Sequence, residues 1–178
     1  MICKTCKSEF EPIYRNGLLV SKLCIKCILA KSRKEQNKMI IKERKDAKEK
    51  LKTHSDYIKE LQKIFNTYIR LRDENKPCIS CKKPLIGKYD AGHYYPTSSY
   101  PNLRFNENNV FGQCVECNQH KHGNLTEYTI NLPERIGIEQ FEYLKAIRNI
   151  STKHTITELK ELIETYKIKV NHERKKNS

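Results

Sequence analysis

The middle of the chain carries the residue types that hydrolysis of a phosphodiester needs. Asp90, His93 and Asn109 stand between two Cys-x-x-Cys pairs, and Asn118 and His122 closely follow the second pair. A histidine can deprotonate water near neutral pH. A cation held by a carboxylate and an amide can neutralise charge on a phosphate. The segment therefore favours a metal-dependent nuclease that cleaves DNA.

Each of these residues has an expected role. We assign His93 as the base that activates water. Asn109 lies five residues before a cysteine, where its amide can pin the loop that carries the histidine. Asp90 and Asn118 are expected to hold Mg²⁺ or Mn²⁺. The missing side chain of Gly92 would give Asp90 room to lean toward that ion.

Three more residues extend this set. Asn118 and His122 are four apart on a predicted short helix, so both can face one cation, and a histidine ligand would admit a softer ion. Arg104 is a candidate to grip a phosphate beside the scissile bond, with a plain salt bridge as the equal alternative. Lys121 is a candidate DNA contact.

All eight cysteines fall in four Cys-x-x-Cys pairs whose spacing is typical of two zinc sites. With four sulfur ligands a site is closed to water, so both Zn²⁺ ions are expected to be structural. The chain opens without the apolar stretch of a signal peptide and contains no membrane-spanning run, so we expect a cytoplasmic protein with reduced thiols. The expected ligands are Cys3, Cys6, Cys24 and Cys27 in the first site and Cys78, Cys81, Cys114 and Cys117 in the second.

The charge favours a polyanionic partner. The formal net charge is +14, and the mean hydropathy of -0.79 is low for a compact globule. Residues 30–52 read as a helix with ten lysines and arginines against four acidic residues. A solvated linker and a basic arm along a phosphate backbone are both compatible with this pattern. The candidate DNA contacts in it are Lys31, Arg33 and Lys34.

The predicted elements give an α+β protein. The turn Asn16-Gly17 indicates a hairpin near the start, and helical spacing of apolar residues predicts a packing helix from about Asp56 to Asp73. Two later helices are predicted over 138–147 and 158–170, the second preceded by a capping box of Thr155 and Glu158. The basic tail from His172 is expected to be disordered. The expected segments are a zinc ribbon (1–29), a basic linker helix and packing helix (30–76), a nuclease core (77–150) and a C-terminal helix with tail (151–178). Whether the ribbon contacts DNA, contacts a partner or is simply structural stays open.

Several short stretches resemble one known family in order and over nearly the whole chain. They are FNTYIRLRD (65–73), PCISC (77–81), DAGHY (90–94), LRF (103–105), QCVECN (113–118), GN (123–124), EY (127–128) and RIG (135–137). The chain resembles the NinG (Rap) family of lambdoid phage recombination proteins. The resemblance implies a phage-encoded endonuclease acting in the bacterial host on branched recombination intermediates, including Holliday junctions and D-loops. It also implies a phage or host recombinase as a partner.

The chain is also similar to the wider HNH, or ββα-metal, superfamily. This resemblance implies a zinc-stabilised HNH core, with His93 as general base, Asn109 as the middle asparagine and Asn118 in the third position. Gly92 stands where that superfamily often has an acidic or histidine ligand. Symmetric resolution of a four-way junction takes two cuts, so we expect a homodimer. The alternatives are a non-specific or nicking HNH nuclease and a non-cleaving, junction-binding recombination mediator.

Overall fold

The computed structural model describes residues 1–177 and shows a mainly helical α+β protein with two small antiparallel sheets. The chain divides after Lys52 into two compact units. The four segments expected from the sequence are a finer division and stay a prediction. Ser178 lies outside the described residues. No helix within residues 1–177 combines the length and apolarity needed to cross a membrane.

The first unit has no hydrophobic core. Strands β1 (Tyr14–Arg15) and β2 (Leu18–Leu19) form the expected hairpin, with positive φ at Asn16 and Gly17 as a type I′ turn requires. Helix α1 (Ile25–Lys50) begins five residues before the predicted start and buries none of its residues. Within residues 1–52, all of which the structure describes, only Cys3 and Cys24 are buried.

The second unit is built on two long packed helices. Helix α2 (His54–Arg72) begins after Thr53, whose side chain and that of Asp56 form a reciprocal capping box. It packs against α5 (Ile156–Lys176) through apolar residues at helical spacing. Phe65 meets Tyr166 edge to face, with ring centroids 4.9 Å apart.

The sheet that carries the expected site lies beside these helices. Strands β3 (Tyr89–His93) and β4 (Val110–Cys114) pair antiparallel, with Asp90 opposite Gln113 and Gly92 opposite Phe111. Short 3₁₀ turns occupy Pro101–Leu103 and Glu107–Asn109. A π-helical segment (Glu116–His120) follows β4, and α3 (Leu125–Ile136) and α4 (Ile138–Ile147) cover the apolar residues around Phe111.

The expectation of a disordered tail from His172 is wrong. Helix α5 opens on the predicted Thr155–Glu158 capping box and continues through Lys176. The side-chain amide of Asn177 then donates to the Leu71 carbonyl at 3.2 Å and to Glu74 at 2.5 Å. The basic residues of the tail therefore form the last turns of a helix that is fastened to α2.

Candidate metal and phosphate site

Both cysteine clusters are assembled, and their dimensions fit zinc. The four sulfur atoms of each set lie within 4.8 Å of one another. The Sγ atoms of Cys6 and Cys24 are 3.6 Å apart, and those of Cys81 and Cys114 are 3.7 Å apart. Zn–S bonds of about 2.3 Å in a tetrahedron place neighbouring sulfurs about 3.8 Å apart. Each cluster could therefore hold Zn²⁺.

The thiol pKa values in both clusters depart from the ordinary cysteine value. In the first cluster, hydrogen bonds to Cys6 and Cys24 raise the pKa of Cys27 to about 12. The backbone N–H of Cys6 helps to lower the pKa of Cys3 to about 6. In the second cluster, burial raises the pKa of Cys117 to about 12. Four thiolates at this spacing repel one another, so all four ionise only around a positive ion.

The second cluster also anchors the sheet. The backbone N–H of Cys114, the last residue of β4, points to Cys78 Sγ at 3.4 Å. The N–H of Ile79 donates to the carbonyl of Gly112 at 3.1 Å. Cys117 lies inside the π-helical segment. The cluster therefore sets where β4 ends and where that segment begins.

His93 is held in the tautomer that a base requires. Its Nε2 lies 3.0 Å from the backbone carbonyl of Arg104. A carbonyl oxygen can only accept, so Nε2 carries the proton and Nδ1 of the neutral ring keeps a free lone pair. Burial lowers the pKa of His93 below its ordinary value. The imidazole is therefore neutral, and able to accept a proton, at neutral pH.

Asn109 pins the loop that follows His93. This fully buried amide accepts from the N–H of Tyr95 at 2.8 Å and donates to the Tyr95 and Leu103 carbonyls, each at 3.1 Å. The backbone carbonyl of Asn109 accepts from the backbone N–H of Tyr94 at 2.9 Å. All of the hydrogen-bonding groups of Asn109 are directed at the loop.

Asp90 and Asn118 are brought together across β3 and the π-helical segment. The side-chain amide of Asn118 donates to Asp90 Oδ2 at 3.0 Å. The amide of Gln119, a residue that we did not single out from the sequence, donates to the same oxygen at 2.7 Å. A carboxylate and two amides thus converge at one place on the surface.

His122 does not join this group, so the expectation that it shares a helix face with Asn118 is wrong. The segment has π geometry, with the N–H of Lys121 bonded to the Glu116 carbonyl five residues back, and it ends at His120. His122 follows in a left-handed conformation with its side chain exposed. Along residues 1–177 no hydrogen bond or ion pair links it to Asp90 or Asn118.

The expected role of Gly92 is also wrong. A Cβ atom at Gly92 would lie 2.2 Å from Oε1 of Gln113, so the space is filled by Gln113 and not by Asp90. Gln113 is fully buried, and its amide donates to Ser80 Oγ at 2.7 Å and to the Gly123 carbonyl at 2.5 Å. It connects the second cluster to the turn that follows the π-helical segment. The sequence offered only a polar residue in an otherwise apolar strand as a signal for it.

The remaining basic candidates lie at the surface or bridge neighbouring elements. The guanidinium of Arg104 donates to Gln62 Oε1 of α2 at 3.2 Å and approaches the Thr97 carbonyl at 3.5 Å. In the described part of the chain it has no carboxylate partner, so the salt-bridge alternative is not seen. Lys121 lies 3.9 Å from Glu116. The three basic residues expected to contact DNA from α1 are exposed: Lys31, Arg33 and Lys34.

The side chains of Asp90 and His93 project from opposite faces of β3. Side chains alternate along a strand, so Asp90 lies with Gly92 and the π-helical segment, whereas His93 lies with Ala91 on the face toward α2. Three residues of strand span about 10 Å. Among residues 1–177, β3 pairs only with β4. Its second edge, between the two side chains, has no partner strand.

The family comparison covers nearly the whole chain. The family described as Bacteriophage Lambda NinG protein matches residues 1–176. Protein ninG of Escherichia phage lambda is 37% identical over 94% of this chain and 90% of its own length. Protein ninG of Salmonella phage P22 is 38% identical over 81% of this chain and 79% of its own length. No solved structure matches the chain.

Proposed function

This chain belongs to the NinG family of bacteriophage proteins, and we propose that it is a metal-dependent endonuclease that cleaves branched DNA in phage recombination. The fold that we propose for residues 77–150 is an HNH core. The order of strand, long loop, strand and short helix around a four-cysteine cluster supports it. The activity would be exerted in the cytoplasm of the bacterial host.

The observation that carries the proposal is the tautomer of His93. The Nε2–H group of His93 donates to the Arg104 carbonyl. Nδ1 is therefore the acceptor nitrogen of this histidine, which lies at the end of β3. We propose that Nδ1 accepts a proton from a water molecule. The oxygen of that water would then attack phosphorus in line with the leaving 3′ oxygen. The expected products carry a 5′-phosphate and a 3′-hydroxyl. Asn109 acts on this step only by fixing the loop beside the base.

Asp90 and Asn118 are the residues that would hold Mg²⁺ or Mn²⁺. A carboxylate with neighbouring amide groups suits these oxygen-preferring ions. When bound, such an ion supplies positive charge to the scissile phosphate and its leaving oxygen. One edge of β3 pairs with no strand of residues 1–177 and lies between the faces that carry Asp90 and His93, and we place the scissile phosphate at that edge.

Selectivity for branches must come from surfaces outside this site, since the site itself contacts one phosphodiester group. Helix α1 is the best candidate in the first unit. Its 26 residues span about 39 Å, it is exposed from Leu29 to its end at Lys50, and its charged residues are mostly basic. Each phosphate that it neutralises releases counterions and makes binding sensitive to salt. Because resolving a four-way junction takes two cuts, we propose that the protein acts as a homodimer.

The test uses the full-length, zinc-loaded protein with end-labelled four-way junctions and linear duplexes of matched sequence, with Mg²⁺, Mn²⁺ or a chelator. We expect metal-dependent cleavage of the junction in preference to the duplex. Equal cleavage of both DNAs would indicate a general or nicking nuclease and remove the branch-specific part of the proposal. Tight junction binding without cleavage in either metal would overturn the enzyme and leave a binding protein.

A further inference from the structure

We propose that Gln119 is a ligand of the catalytic divalent cation, completing with Asp90 and Asn118 a site whose protein ligands are all oxygen atoms. The inference rests on the proposed nuclease function, and it deepens that function by assigning a ligand. It replaces His122, the residue that the sequence spacing favoured for this role.

The geometry of the π-helical segment carries the inference. Asn118 and Gln119 are consecutive, and on a regular α-helix consecutive side chains point about 100° apart. Here both amides reach a single atom, Asp90 Oδ2, at 3.0 and 2.7 Å. Single π-helical turns are frequent at functional sites. This one brings two amides to one carboxylate.

The chemistry of the three groups matches a hard divalent cation. A primary amide has an NH₂ end that donates and an oxygen end that accepts. Toward a bare carboxylate the NH₂ ends point inward, as they do here. A half-turn about the terminal torsion of each amide would direct its oxygen to an ion beside Asp90. One carboxylate and two amide oxygens, completed by water and phosphate oxygens, is a ligand set typical of Mg²⁺ and Mn²⁺.

The position of His122 supports the same assignment. It lies beyond the end of the segment, in a left-handed backbone conformation and with an exposed side chain. A site without this histidine has no nitrogen ligand from the protein, which favours Mg²⁺ and Mn²⁺ over softer ions.

The alternative role for Gln119 is that of a hydrogen-bond partner for Asp90 in the metal-free protein only. The two roles have opposite effects on metal affinity. If Gln119 is a ligand, its removal weakens binding of the cation. If Gln119 only donates a hydrogen bond to Asp90, its removal frees the carboxylate oxygen, and the cation binds equally well or more tightly.

The experiment is a Mn²⁺ titration of the full-length, zinc-loaded protein, with free Mn²⁺ measured by electron paramagnetic resonance. The variants are Asp90→Ala, Gln119→Ala and, as the matched control, His122→Ala. We expect one site in the wild type and its loss in Asp90→Ala. Gln119→Ala should weaken affinity on the order of tenfold, and His122→Ala should leave it unchanged. Gln119 and His122 are both exposed, so equal zinc content and circular dichroism should show that both variants fold.

Each other outcome has a distinct meaning. If Asp90→Ala binds Mn²⁺ as the wild type does, the metal site itself fails, and with it the proposed function. If Asp90→Ala loses binding but Gln119→Ala binds unchanged or more tightly, only the assignment of Gln119 is overturned. If His122→Ala is the variant that weakens binding, the ligand is His122, and the inference is again wrong.

Discussion

The two four-cysteine clusters are built on the same local backbone but in different surroundings. In each, the N–H of the residue after the first pair donates to the first cysteine's carbonyl at 3.0 Å: Lys7 to Cys3, and Lys82 to Cys78. Both lysines have φ of 61°. In each, the N–H of a later cysteine points to the first sulfur, at 3.3 Å for Cys24 and 3.4 Å for Cys114.

The two clusters differ in the side chains that surround them. Around the first cluster the apolar side chains are exposed, as at Ile13, Tyr14 and Leu18. The second cluster packs against Leu85 and lies beside Ile79, which belongs to the apolar group around Phe111 and Tyr128. One cluster replaces a hydrophobic core, and the other reinforces one. We therefore expect the first unit to depend on zinc for its fold, whereas the second cluster lies beside a packed apolar core.

Removing the first zinc should give the largest effect. We expect Cys6→Ser combined with Cys27→Ser to reduce bound zinc from two ions per chain to one and to unfold residues 1–24. A structural zinc contributes on the order of 10 kcal/mol, and little else is buried there. Zinc analysis with hydrogen exchange measures both effects, and Ser32→Ala in α1 is the control. Persisting protection of residues 1–24 without zinc would contradict the comparison.

The next largest effect is expected at Asp73, which ties the strand of the second cluster to α2. This fully buried carboxylate accepts from Arg72 at 2.8 Å and from the N–H of Gly112 at 2.8 Å. Asp73→Ala leaves the mostly buried Arg72 without its carboxylate partner and should lower the free energy of unfolding by about 3–5 kcal/mol. Urea unfolding measures this, with the exposed Glu142→Ala as control. A loss below about 1 kcal/mol would contradict the assignment.

The same carboxylate gives the stability a pH dependence. Burial acts to raise the pKa of Asp73, but hydrogen bonds from Arg72 and the charge of Arg72 hold it below the ordinary value of 3.8. The pKa of Asp73 is lower in the folded than in the unfolded protein, so its contribution to the free energy of unfolding is complete above pH 3.8. It is lost as the pH falls through the folded pKa.

A matched pair of substitutions compares the two units directly. Leu61 of α2 is fully buried, so Leu61→Ala should cost about 2–5 kcal/mol. Ile40 of α1 is 45% exposed, and Ile40→Ala should cost less than about 0.5 kcal/mol. Thermal unfolding of both variants checks the difference. Similar losses at the two positions would mean that α1 packs against a partner.

The smallest effect that we expect is a shift in the pH profile. Burial lowers the pKa of His93, so more acid is needed to protonate it and stop it from accepting a proton. The acid limb of kcat/KM for junction cleavage should therefore have its midpoint below 6.5, the ordinary histidine value. A midpoint at or above 6.5 would show that another group limits the rate.

Features fixed by local chemistry could be predicted from the sequence. The cysteine spacing predicted both clusters, the Asn16-Gly17 turn predicted the hairpin, and the Thr155–Glu158 box predicted the start of α5. The extent of α5 could not be read in this way. Its last turns gain stability from Asn177, which bonds to α2 more than a hundred residues away.

Features that depend on where a helical segment ends or on long-range packing were missed. A spacing of four places Asn118 and His122 on one face only if the helix continues to residue 122, but the segment ends at His120, and the residue that bonds to Asp90 beside Asn118 is Gln119. Helix α3 was not predicted because Pro133, in its last turns, breaks the usual helical pattern. The role of Gln113 needs the cross-strand position of Gly92, which no local pattern contains.

The proposed role of His93 as the base of a nuclease site is tested most directly by removing its imidazole. We would compare wild type, His93→Ala and His120→Ala on a labelled four-way junction with Mg²⁺, measuring cleavage and binding in the same samples. His120 is an exposed histidine of the π-helical segment and serves as the matched control. We expect His93→Ala to bind the junction with wild-type affinity but to lose cleavage by at least about 100-fold, while His120→Ala still cleaves. Wild-type cleavage by His93→Ala would contradict it.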